Sequence, residues 1–104
     1  MASYNDLAAM KLNAIIRNGT RLKDFVNIAY LSKIMSLNDM IHAYQTKYES
    51  NGVMILKALA FFDDINFKEP IIMLNNNKFN WSKIKKHLLL MIKYPNRIFV
   101  SSDL

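Results

Sequence analysis

The sequence predicts an all-α fold, a compact bundle of about five helices forming one domain over residues 1–104. Three observations predict it. Two glycines and two prolines are little punctuation for 104 residues, which favours long regular elements over many short strands and turns. Apolar residues recur at helical spacing in five segments. Apolar residues make up 52% of the chain and charged residues 21%, a composition that folds around a core rather than staying disordered. A single domain of this size buries roughly two-thirds of the surface its unfolded chain exposes.

The first helix is expected from Asp6 to Arg17, with Leu7, Ala8, Met10, Ala14 and Ile15 as its apolar stripe. Asn18-Gly19 ends it, with glycine available for a left-handed cap. Thr20 can cap the second helix, which continues to Met35 and buries Leu22, Phe25, Val26, Ile28 and Ala29. Ser36 followed by Asp39 resembles a capping box and starts the third helix, carrying Leu37, Met40, Ile41, Tyr44 and Tyr48 at helical spacing. Short loops between these helices favour antiparallel neighbours.

Asn51-Gly52 opens a fourth helix from Val53 to Phe62. Only Lys57 interrupts its apolar circumference, which predicts burial on most sides. Residues 63–79 form an irregular loop, with Pro70, the Asn75-Asn76-Asn77 turn and the apolar run Ile71-Ile72-Met73-Leu74. Phe79 or Asn80 leads into the last helix, Trp81 to Lys93. Trp81, Ile84, Leu88, Met91 and Ile92 face the core, and Lys83, Lys85, Lys86 and His87 face water. Tyr94-Pro95 stops it, because the residue before proline is pushed off helical angles. The tail after Phe99 is expected to fray.

The absence of cysteine excludes a disulfide frame, a thiolate metal site and a thiol nucleophile. No signal-peptide pattern and no apolar run of about 18 residues occurs, so a cytoplasmic location with no membrane partner is expected. The net charge of +6 leans toward the second half: residues 53–104 carry eight basic and four acidic side chains, residues 1–52 six and four. Such a surplus suits a phosphate-rich partner, or a lysine-coated helix face that keeps the domain soluble.

Four groups of residues could carry chemistry. Lys11 sits in the first helix with Leu7, Ala8, Ala14 and Ile15 as its helical neighbours. A lysine so placed snorkels along the stripe or holds its ammonium for an anion. Arg17, Arg21, Lys23 and Asp24 bridge the turn to the second helix. Cations there can hold a phosphate, while Asp24 in the first turn complements the helix dipole and can pair with Arg21. Asp63-Asp64 crowds two carboxylates at a helix C-terminus, where nearby lysines or loop capping would compensate them, and a lone acidic pair makes a weak metal site. His42 and His87 have no acidic or nucleophilic companion in sequence and are expected to face solvent. No Gly-rich phosphate loop, HExxH or GxSxG is present, and no metal ligand set is expected.

One stretch carries a family signature. Lys11, Ala14 and Arg17 on one helix, followed by Lys23-Asp24-Phe25-Val26-Asn27, resemble the paired motifs of the abortive-infection nucleotidyltransferase toxins of the AbiEii/AbiGii type. Leu56 to Ile65, with Phe61-Phe62-Asp63-Asp64, then Glu69-Pro70 and Trp81-Ser82-Lys83-Ile84-Lys85-Lys86, also resemble the C-terminal end of bacterial members. The resemblance covers roughly residues 6 to 93.

It implies a bacterial toxin–antitoxin setting and a polymerase-β-type enzyme that transfers a nucleotide from a triphosphate to an acceptor, tRNA in some members. A Gly-Ser motif and two metal-binding aspartates in the N-terminal half supply divalent-metal activation in such enzymes. The helical C-terminal half supplies a triphosphate-binding lysine, matched here by Lys11, and an acidic residue, matched by Asp24 as catalytic or orienting group. Arg17 and Arg21 are expected to assist in nucleotide binding. Magnesium and a nucleoside triphosphate are implied for an intact member, and a cognate antitoxin protein and RNA as partners.

Two departures bear on activity. No Gly-Ser followed by an Asp-x-Asp pair occurs in this sequence, and Asn27 stands where the second motif carries a further aspartate. An amide cannot supply the charge that a metal or a general base requires. The expectation is a helical C-terminal domain without its catalytic partner, a fragment or a shortened gene, that is not catalytic alone and exposes a face suited to homodimer formation. The alternative is a small helical interaction module that meets a protein or RNA partner through its basic last helix, at Lys83, Lys85 and Lys86.

Overall fold

The computed structural model of the chain describes residues 3–66 and 81–100. Its elements are α1 (Tyr4–Arg17), α2 (Leu22–Leu31), α3 (Leu37–Tyr48), α4 (Val53–Ala60) and α5 (Trp81–Lys93), with no strand among the described residues. α1 packs against α2, α3 and α4, and α5 closes the bundle against α2 and α4. No helix of the described residues is long and apolar enough to cross a membrane. The expectations for the apolar run 71–74, Pro70, the Asn75–Asn77 turn and the last four residues lie outside the described residues.

Local chemistry explains most boundaries. Ser3 Oγ accepts from the Asp6 backbone N–H at 3.1 Å, so α1 begins two residues before the expected Asp6. Ser36 Oγ does the same for Asp39 at 3.1 Å, the serine half of the capping box read in the sequence. α3 ends on Glu49, whose φ of 50° places a non-glycine residue in the left-handed region.

The turn between α1 and α2 differs from the expectation twice. No glycine has positive φ, so Gly19 is not a left-handed cap. Asn18 ends the helix instead: its backbone N–H returns to the Ala14 carbonyl at 2.8 Å. Its side-chain oxygen accepts from the Thr20 N–H at 3.3 Å and the Thr20 hydroxyl at 2.7 Å. Thr20 therefore gives its hydroxyl to Asn18 and does not cap α2, which starts from Arg21 with no side-chain cap. The chain is held here from outside as well, because Asn66 N–H donates to the Thr20 carbonyl at 2.8 Å.

α2 stops at Leu31, short of the expected Met35, and the chain continues in a tighter turn with bonds from Lys33 to Tyr30 and Ile34 to Leu31. α4 also corrects the sequence. It ends at Ala60 rather than Phe62, and only Ile55 and Leu59 are buried; Val53, Met54 and Leu56 are exposed. An all-apolar circumference marks a helix that can be buried on any side, and here one side is covered. Gly52 lets the turn before α4 pass close to α3: a Cβ there would stand 2.6 Å from Ile41 Cγ2 and 2.9 Å from Gln45 Nε2.

Beyond α4, Phe62 turns inward and meets Phe25 edge-on at 6.0 Å and Trp81 at 5.3 Å, tying α2, α4 and α5 into one core. The segment after α5 is anchored rather than loose. Pro95 O accepts from Asn38 N–H at 2.9 Å, and Phe99 N–H donates to Ser32 O at 2.8 Å.

Candidate functional site

Lys11 and Asp24 meet where α1 crosses the start of α2. Lys11 Nζ donates to Asp24 Oδ1 at 3.3 Å, with side-chain exposures of 26% and 4%. The lysine stem lies in the apolar stripe and its ammonium turns to the one carboxylate beneath it. This is neither simple snorkelling to water nor a wholly unpaired cation. Asp24 Oδ2 is buried without a hydrogen-bond partner among the described residues, where the carboxylate meets a single ammonium and the positive end of α2.

The sequence offered Arg21 as the partner of Asp24, and the structure corrects this. Asp24 points into the bundle toward α1, whereas Arg21 is exposed and its backbone pairs with Asn66 in an isolated parallel bridge. Arg17 and Lys23 are exposed too, and no hydrogen bond or ion pair among the described residues joins them to the Lys11–Asp24 pair. Arg17 lies six residues beyond Lys11 on α1. That spacing places it about 9 Å further along the axis and about a third of a turn round the helix. The structure thus brings two of the four candidates into contact and leaves the two arginines exposed, outside that contact.

This arrangement does not suit a metal. One carboxylate already holding an ammonium is a poor ligand for a hard divalent cation, and no group of three or more His, Asp or Glu gathers among the described residues. Magnesium therefore does not fit the side chains of this site. Asp63 and Asp64 occupy an exposed turn closed by the bond from Ile65 N–H to Phe62 O at 3.2 Å. Asn27, half-buried one turn after Asp24, offers a neutral amide.

A second polar contact was missed in the sequence. His42 is exposed as expected, but His87 is 5% exposed and stands against the core. Its Nε2 lies 2.5 Å from Ser32 Oγ, and Ser32 Oγ donates to the Ala29 carbonyl at 2.6 Å. With its one proton committed to that carbonyl, the serine oxygen accepts from His87 Nε2–H. Phe99 covers the imidazole edge-on at 4.7 Å. The signal was present in the spacing: His87 follows the buried Ile84 by three residues and precedes the buried Met91 by four. Its lysine neighbours in sequence obscured it.

Compared with known proteins, the chain matches no family model, no curated protein and no solved structure.

Proposed function

We propose that this chain is the helical C-terminal domain of a nucleotidyltransferase toxin of the AbiEii type, binding nucleoside triphosphate charge but transferring no nucleotide by itself. One observation supports this reading. The lysine of the first motif and the acid of the second, thirteen residues apart in sequence, form one ion pair at 3.3 Å.

In this reading Asp24 is a positioning residue. It accepts a hydrogen bond from one ammonium N–H of Lys11 and fixes the nitrogen there, leaving the other two N–H groups for phosphate oxygens. Because the pair is neutral as a unit, the net attraction for a triphosphate would come from the exposed Arg17 and Arg21. Arg guanidinium groups suit phosphate through their forked donors. The residues that would hold magnesium and activate the acceptor's attacking hydroxyl are not in this sequence, and no step of transfer is assigned to Asp24.

The test is a nuclear magnetic resonance titration of the whole chain with magnesium ATP and magnesium GTP. Backbone shifts are expected at residues 11, 17 and 21–24. Affinity is expected to fall about tenfold, or about 1.4 kcal/mol, in Lys11→Met and in Arg17→Ala/Arg21→Ala. The arginine variant alters only exposed side chains, so its result is independent of folding. Shifts confined to α5, or affinity indifferent to both variants, would overturn the reading. Nucleotide transfer by the chain alone would overturn the claim that it needs a partner domain.

A further inference from the structure

The charge of the molecule is concentrated in its last described segment. Residues 81–100 contain Lys83, Lys85, Lys86, Lys93 and Arg97 and no Asp or Glu. These five cations compare with a net +6 for the whole chain. α5 buries Ile84, His87, Leu88 and Met91, so the opposite face looks outward. At the middle of that face stand Leu89 and Leu90, each 44% exposed, with Lys86 before them and Lys93 after them. Lys86 and Lys93 are seven residues apart, two helical turns or about 10 Å along the axis. Neither makes an ion pair among the described residues.

Past the helix end the same character continues. Tyr94 is exposed and flanked by Lys93 Nζ at 5.5 Å and Arg97 Cζ at 5.7 Å from its ring centre. Lys93, Tyr94, Pro95, Asn96 and Arg97 line a shallow hollow that is wide open to solvent.

We propose that this face of α5 docks an acidic amphipathic helix of a protein partner. The partner would seat apolar side chains on Leu89 and Leu90 and place carboxylates two turns apart opposite Lys86 and Lys93. A further acidic or aromatic side chain would enter the hollow beside Tyr94. The apolar centre decides against a phosphate backbone. Leucines between the cations add nothing to counterion release, whereas an apolar centre with a charged rim and an exposed Tyr and Arg is the anatomy of a protein interface. The inference stands apart from the nucleotide site, which uses other residues on other helices.

A fluorescence anisotropy titration at physiological salt tests it with three probes. The first is a labelled synthetic helix with a leucine pair flanked by glutamates two turns apart. The second is the same composition scrambled, and the third is a uridine oligonucleotide of similar charge. The patterned helix is expected to bind at least about tenfold more tightly than either. Its affinity should drop about tenfold in Leu89→Ser/Leu90→Ser and again in Lys86→Glu/Lys93→Glu, all at exposed positions. Equal binding of the scrambled peptide, or no binding of the patterned one, overturns the proposal. So does tighter binding of the oligonucleotide that survives the leucine substitutions.

Discussion

Replacing Lys11 by methionine keeps an unbranched aliphatic stem in the stripe of α1 and removes the ammonium. The Asp24 carboxylate, 4% exposed and with Oδ2 already unpartnered, then has no counter-ion. Breaking a fully buried pair in this way costs about 3–5 kcal/mol. Two features lower the figure here. The lysine is a quarter exposed, and the first turn of α2 still favours a negative charge by roughly 0.3–1 kcal/mol. The expected loss is therefore about 2–3 kcal/mol, a fall of roughly 10–20 °C in Tm for a domain of this size. Asp24→Ala is gentler, because the freed Lys11 can turn its ammonium to water; about 1 kcal/mol is expected from the lost pair and dipole contact. The double variant should cost less than the sum of the two, since its carboxylate is gone when the ammonium is removed. Urea unfolding followed by circular dichroism measures all three. The reasoning fails if Asp24→Ala destabilises as much as Lys11→Met, or if the two effects simply add.

Three further outcomes follow from the packing. His87→Ala removes the N–H that Ser32 accepts and opens a hole beneath Phe99, and a loss of about 2–4 kcal/mol is expected by urea unfolding. Ser32→Ala should cost a similar amount, by leaving the buried imidazole N–H without that acceptor. Gly52→Ala forces a methyl group against Ile41 Cγ2 and Gln45 Nε2; the turn at Gly52 must move away from α3, at a cost of about 1–3 kcal/mol read as a lower urea midpoint. Unchanged stability in Gly52→Ala would show that the turn shifts away from α3 without penalty.

The candidate site was partly visible in the residues. Lys11 stands out as the one charge in an aliphatic stripe, and Asp24 as an acid in the first turn of the next helix. Their contact was not visible, because nothing in a linear spacing says which of Lys11, Arg17, Arg21 or Lys23 a carboxylate will meet. The nearest cation in sequence, Lys23, and the expected one, Arg21, both lost to Lys11, thirteen residues away. His87 was hidden for a different reason. It lies on the buried face by period, but three lysines within four residues before it suggested a wet surface.

What the sequence determined by itself is what neighbours within one or two turns set: five helices, the stripes of α2 and α3, Ile84, Leu88 and Met91 on α5, and the cap at Ser36. These follow from local hydrogen bonds and a 3.6-residue period, which need no partner to be read. On α1, by contrast, Met10 is exposed and Ala9 and Leu12 are buried instead. Tertiary structure alone decided which side of α4 would be covered, because a helix apolar all round has no preferred face until another helix chooses one. It also decided that Thr20 would bond Asn18 and that Asp24 would turn inward to Lys11. Each of those outcomes depends on how closely two segments approach in space, a distance that the order of residues along the chain does not contain.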